Sequence, residues 1–195
     1  MRWRSLPEVW VAYGLAPTPL ISDSSRESLV ATLPSCRATP RTRRRSMAEP
    51  SQELKVLREK IERCLKEILS GYEVRGELYA VRQGSSVTFI RPFDWREGAT
   101  LVRLYSPVLE KVTKAGNERM FEEFSVLNDR FIFGKLYWTG TNEDKSIGSI
   151  YLEHMLLGEY LDADELKTAL FATALTADEI DDELKAKFGG ERWSD

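Results

Sequence analysis

His154 is the chain's only histidine, and it stands in "YLEHMLLGEYLDADEL" (151–166) beside Glu153, with Glu159, Asp162, Asp164 and Glu165 close behind. An imidazole near carboxylates could move protons in a hydrolase or transferase, and gathered carboxylates could hold a divalent cation. The spacing argues against both. On a strand, adjacent residues point to opposite faces, so Glu153 and His154 form no simple pair. His154 would share its face with Ile150, Leu152 and Leu156, where a lone imidazole is more often a hydrogen-bonded core or interface residue. A metal centre needs several converging ligands, and no second histidine supplies one. Asp162 and Glu165, three apart and ahead of an apolar period, read as an Asp-led capping box, and with Asp164 they meet the positive end of a helix dipole. "ADEIDDEL" (177–184) reads as a solvated acidic helix face. Neither a phosphate-cradling glycine loop nor a nucleophile elbow occurs. The expectation is therefore no catalysis, no metal and no cofactor. A small hydrolase or transferase using Glu153, His154 and nearby carboxylates is the alternative.

The elements that position these residues follow from periodicity. Leu54, Leu57, Ile61, Leu65 and Ile68 form one stripe of a helix over 51–70, with Ser51 able to cap it and Gly71 to end it. The period then changes to that of strands over 72–81 and 85–93, joined by the turn-forming "RQGS". Pro92 marks an end or an edge. A third strand over 99–109 sets Leu101, Arg103 and Tyr105 on one face, Val102 and Leu104 on the other, and Pro107 limits it. Met120, Phe121, Phe124 and Leu127 mark a short helix over 117–129, with Asn117 as its N-cap. "FIFGKLYWT" (131–139) reads as a strand with Phe131, Phe133 and Tyr137 on one side and Ile132, Leu136 and Trp138 on the other; Gly134 marks a bulge or a close backbone approach. A strand over 147–157 and a long helix over 162–188, closed by Gly189-Gly190, complete the chain. The order α-β-β-β-α-β-β-α with tight strand connections implies an α+β fold built on an antiparallel five-stranded sheet.

Composition bounds the class. At 195 residues, 42% hydrophobic and 30% charged, the chain suits one globular domain with a sizeable core. The net charge of −3 hides an asymmetry: residues 1–46 carry eight arginines against Glu8, Asp23 and Glu27, which leaves −8 for the rest. An acidic domain repels phosphate backbones, so no nucleic-acid partner is expected. No apolar run reaches membrane-spanning length. Cys36 and Cys64 make neither a disulfide framework nor a metal spacing, and a reducing, cytoplasmic setting fits. Residues 1–46 hold five of the eight prolines and seven serines without a sustained period. They read as sequence upstream of a natural start at Met47; a disordered extension and an organellar transit peptide are the other readings. Residues 47–195 then form the single domain.

Strands apolar on both faces need cover on both. The helices over 51–70 and 162–188 can cover one face, and the short helix over 117–129 is the only cover left for the other. An uncovered part carrying Trp138, Tyr137 or Tyr151 would be an exposed apolar patch of the kind that receives a second copy or a peptide. The contact candidates are Tyr105, Phe133, Tyr137, Trp138, Tyr151 and His154, each of which is also an ordinary core candidate. A structural subunit of a larger assembly is a further reading.

With that order established, "GATLVRLYSPVL", "LNDRFIFGKLYW", "IYLEHMLLGEYLDADELKTAL" and "TADEIDDELKAKFGG" carry a resemblance. Over about residues 51–190 the chain resembles the YbjN-like family and the type III secretion chaperones whose fold it shares. The resemblance implies a small acidic cytoplasmic protein, homodimeric, that binds protein or peptide clients as a chaperone, adaptor or regulator and performs no chemistry. Residues 1–46 have no counterpart in that pattern.

Overall fold

The computed structural model describes residues 49–193; the readings of residues 1–46 lie outside them. Helix α1 (Gln52–Ile68) starts where the Ser51 hydroxyl accepts the Leu54 N–H at 3.0 Å and itself donates to Asp94 at 2.6 Å. Strands β1 (Glu73–Arg75), β2 (Leu78–Gln83), β3 (Ser86–Arg96) and β4 (Ala99–Thr113) follow, then α2 (Met120–Arg130), β5 (Lys135–Gly140), β6 (Ile147–Leu157), α3 (Ala163–Phe188) and β7 (Glu191–Arg192). All pairings are antiparallel, in the order β1-β2-β3-β4-β6-β5, with β7 alongside the far end of β4.

The class and element order match expectation, with seven strands in place of five. Residues 72–81 break at Gly76, whose φ of +61° makes a turn, so they yield both β1 and β2. The Gly189-Gly190 pair ends α3 and turns the chain back to place Glu191 and Arg192 on β4. Pro107 does not stop β4; it lies at a register shift, and the strand bends and runs on to Thr113. Pro92 pairs with Val102 beyond the last β2 partner, at a local edge where its missing N–H is tolerated.

The three helices pack on one face of this sheet. Leu57, Ile61 and Leu65 of α1 meet Ile90, Val102, Leu104 and Leu156 together with Leu166 and Leu170 of α3. The later turns of α3 (Ala177, Leu184, Phe188) join Met120, Phe124 and Leu127 of α2 over Leu136, Ile150 and Leu152. Leu152 and Leu156 share one side of β6, so both clusters lie on the same face. The expectation that α2 would cover the opposite face is therefore corrected. Its entry loop is tied to the helix layer: the Asn117 amide donates to the carbonyls of Thr113 and Phe188 at 2.8 and 3.0 Å, instead of capping α2. Phe124 then stands edge-to-face on Phe188, with ring centres 6.0 Å apart.

Leu104 is fully buried in the central strand beneath α1 and α3. Leu104→Ala should cost about 2–5 kcal/mol of stability in urea unfolding; a cost below about 1 kcal/mol would contradict this packing.

Candidate binding face

Alternation along the strands builds the other face. In β4, Val102, Leu104 and Ser106 go under the helices, which turns Leu101, Arg103 and Tyr105 outward. Register carries the outward set across the sheet. Tyr105 lies opposite Phe89 on one side and Glu153 on the other; Tyr151 lies opposite Pro107 and Tyr137; Met155 lies opposite Arg103. Phe89 and Tyr105 stack at 5.3 Å, Tyr105 meets Tyr151 edge-on at 6.2 Å, and Tyr151 stacks on Tyr137 at 5.4 Å. At one end Trp193 stands over Phe89. At the other, Met155 and Leu157 are 40% and 47% exposed, large values for strand residues next to the sheet centre.

Arg103 organises the middle of this face. Its guanidinium lies 5.0 Å from the Tyr105 ring centre and 5.5 Å from that of Tyr137, donates to the Tyr137 hydroxyl, and pairs with Glu153 at 2.7 Å. Lys135 reaches the same carboxylate at 3.7 Å. Burial is the main force pushing the Tyr137 phenol up to about 12, with Arg103 opposing it. Burial also raises Tyr105. Both phenols are neutral donors at physiological pH.

The six residues singled out from sequence divide. Tyr105, Tyr137 and Tyr151 come together on the open face. Trp138, Phe133 and His154 do not join them. Trp138 turns under α2, edge-on to Phe121 at 6.4 Å, and so is not part of an uncovered patch. Residues 131–134 are not strand: they form a loop, and only from Lys135 does the chain pair with β6. Gly134, at φ +80°, brings that loop so near β6 that a Cβ would stand 3.1 Å from the Glu153 carbonyl oxygen. Its N–H donates to His154 Nδ1 at 3.2 Å, and Phe133 lies edge-on to the imidazole at 5.4 Å.

His154 shares the helix-side face with Leu152 and Leu156, while Glu153 sits on the open face. The acid–base pair of the catalytic alternative is thus split across the sheet. Among the described residues, no group of three or more His, Cys, Asp and Glu side chains converges. Asp162 accepts the Glu165 N–H at 2.7 Å, a helix cap as its spacing predicts. Cys64 is buried among the α1 core residues, and burial raises its thiol pKa. No described helix is long and apolar enough to cross a membrane.

Arg103 and Glu153 anchor the tyrosine group, yet sequence reasoning placed Arg103 only as a strand residue and Glu153 only as a carboxylate beside a histidine. The signal was their shared face: Arg103 alternates with Tyr105, and Glu153 with Tyr151.

Among the described residues, the antiparallel sheet carries helices on one face and a row of half-buried tyrosines on the other. Residues 55–195 match the model of the family described as T3SS (YopN, CesT) and YbjN peptide-binding chaperone 1, and the chain belongs to that family. Among solved structures it is similar to YbjN from E. coli, with a TM-score of 0.46 at 8% identity over 64% of this chain and 91% of that one. It is also similar to a chain of the ExsC–ExsE complex, with a TM-score of 0.44 at 18% identity over 66% and 92%. No curated protein matches the chain.

Burial lowers the His154 pKa from its usual 6.5, so the folded protein binds this proton less readily than the unfolded chain. Stability from this group is then intact above the usual histidine range and is lost as pH falls below it. His154→Asn keeps an acceptor for Gly134 and removes the titration. Urea unfolding at pH 7.5 and 5.5 should show a smaller loss in the variant than in the native chain; equal losses would contradict the assignment.

Proposed function

We propose that this protein is a non-catalytic chaperone-like or regulatory module that receives polypeptide segments on the open face of its sheet, acting as a homodimer in the cytoplasm. The observation that carries the reading is the row of half-buried Tyr105, Tyr151 and Tyr137, seated on buried Phe89 and flanked by exposed Met155 and Leu157, with the three described helices on the other side. Aromatic rings with few torsions give large contact area at low entropic cost, and Arg103 and Glu153 among them offer a donor and an acceptor to a peptide backbone. Membership of a peptide-binding chaperone family supports the same reading. The cytoplasmic setting rests on Cys64 being a free thiol.

Beyond the end of β5, β6 from His154 to Leu157 pairs with β4 alone, leaving a short edge where an extended segment could add its own strand. β5 itself is partly blocked. Asn128 accepts the Leu136 N–H at 2.6 Å and donates to the Leu136 carbonyl at 3.2 Å, occupying both groups as a neighbouring strand would. The dimer reading draws on Phe121, Val126 and Ile132, apolar residues exposed on and just after α2 and away from the open face.

Two outcomes are expected. Clients captured from the source cell by the full chain and identified by mass spectrometry should be lost with Met155→Asp, on the open face, and kept with Val56→Asp, exposed on α1. The reverse pattern would place binding on the helices. Light scattering at micromolar concentration should give twice the mass of one chain, which Ile132→Asp should halve; a native monomer would remove the dimer.

A further inference from the structure

The open face carries a charge opposite to that of the domain around it. Beyond residue 46 the chain sums to −8. On the open face the balance reverses: Arg75, Arg82, Arg91, Arg103 and Lys135 stand against Glu73, Glu110, Glu153 and Glu191. Three of these acids are already engaged, Glu73 with Arg75 at 2.6 Å, Glu153 with Arg103 and Glu191 with Lys111. Arg91 lies directly opposite Arg103 across β3 and β4. It is exposed, and it has no carboxylate partner among the described residues. Arg103 already holds Glu153 as its counter-ion, which leaves Arg91 as the member of this cross-strand pair open to an anion.

Apolar residues bracket this pair. Two positions along the strands on one side are Phe93, Leu101 and Leu157; two positions along on the other are buried Phe89 and half-buried Tyr105, with Glu153 beyond Tyr105. Two residues of extended chain advance about 6.6–6.8 Å. A strand-like ligand therefore repeats the same spacing: apolar, charged, apolar at every second position.

We infer that the open face selects extended polypeptide segments in which an acidic side chain has apolar residues two positions to either side, the carboxylate meeting Arg91 beside Arg103. This rests on the open face being the peptide-binding surface proposed above. The carboxylate takes a charge-assisted pair of hydrogen bonds from the arginine fork of Arg91. The acidic remainder of the domain repels the same segment, which concentrates it on this face. A single-stranded nucleic acid also stacks on aromatics and arginines. Its charge recurs at every nucleotide, however, and would meet Glu153 and the acidic surroundings.

The test is fluorescence anisotropy on the full chain with three labelled peptides, repeats of Leu-Ser-Glu-Ser, Leu-Ser-Gln-Ser and Leu-Ser-Lys-Ser, and one single-stranded oligonucleotide. The Glu peptide should bind about tenfold tighter than the Gln peptide, with the Lys peptide weakest. Arg91→Gln should remove the Glu advantage, and Arg91→Glu should reverse the order of the Glu and Lys peptides. Both variants should unfold at the native temperature, because Arg91 is exposed. The arginines of residues 1–46 favour the Glu peptide in every protein compared, so the inference is read from the part of the advantage that Arg91→Gln removes, and an advantage that Arg91→Gln leaves whole would overturn it. Equal affinities for the Glu and Gln peptides, an Arg91→Glu variant with unchanged order, or tighter binding of the oligonucleotide would each overturn the inference. Equal peptide affinities that Met155→Asp still abolishes would leave the face as a peptide site without acidic selection. Failure of all three peptides to bind would remove both readings.

Discussion

The structure depends on one constraint: a sheet whose strands alternate, with every described helix on a single side. β4 lies at its centre, paired with β3 and β6, and commits Val102, Leu104 and Ser106 to the helices. Strand geometry then leaves Leu101, Arg103 and Tyr105 nowhere to go but outward. With α1, α2 and α3 all on the first side, the second carries, among the described residues, a small buried cluster of Ala80, Val87 and Phe89 with Trp193 against its end. Aromatic stacking and the Arg103–Glu153 pair let that second layer persist without a helix over it. The pair is half-shielded by the tyrosines, which makes its geometry better defined than that of a fully solvated surface bridge.

The sheet's edges are handled differently from its face. Asn128 satisfies the outward groups of Leu136, and Gly134 folds the preceding loop against His154, so neither position is open to strand addition. What remains open among the described residues is the outer side of β6 beyond His154, beside Met155 and Leu157. The open edge and the aromatic face thus adjoin, and an extended segment could touch both without crossing a helix.

Local signals carried much of this architecture. Ser51 and Asp162 cap their helices as their spacing to Leu54 and Glu165 predicts, and the alternation in "LVRLY" correctly divides the faces of β4. The side on which α2 lies was not legible. Its apolar stripe fits either face, and what decides is Asn117 reaching the Phe188 carbonyl, a contact 71 residues away in sequence. "FIFGKLYW" looks like unbroken strand because a loop packed against a sheet is as apolar as the sheet. Gly134 was the one local sign of a change, since its backbone angle is one other residues avoid. Of the candidate contacts, the tyrosines could be grouped from alternation alone, whereas Trp138 needed the position of α2, and Arg91 gave no sign beyond being an arginine in a strand.

The central claim is that the described helices seal one face of the sheet and leave the part of the other around Met155 exposed, and the two described methionines report it directly. Met155 lies on the open face at 40% exposure, while Met120 is fully buried under α2. Peroxide oxidation of the native chain at micromolar concentration, followed by mass spectrometry, should oxidise Met155 rapidly and spare Met120 until the protein unfolds. Met155 oxidising as slowly as Met120 would mean that the face is covered, and would contradict the account.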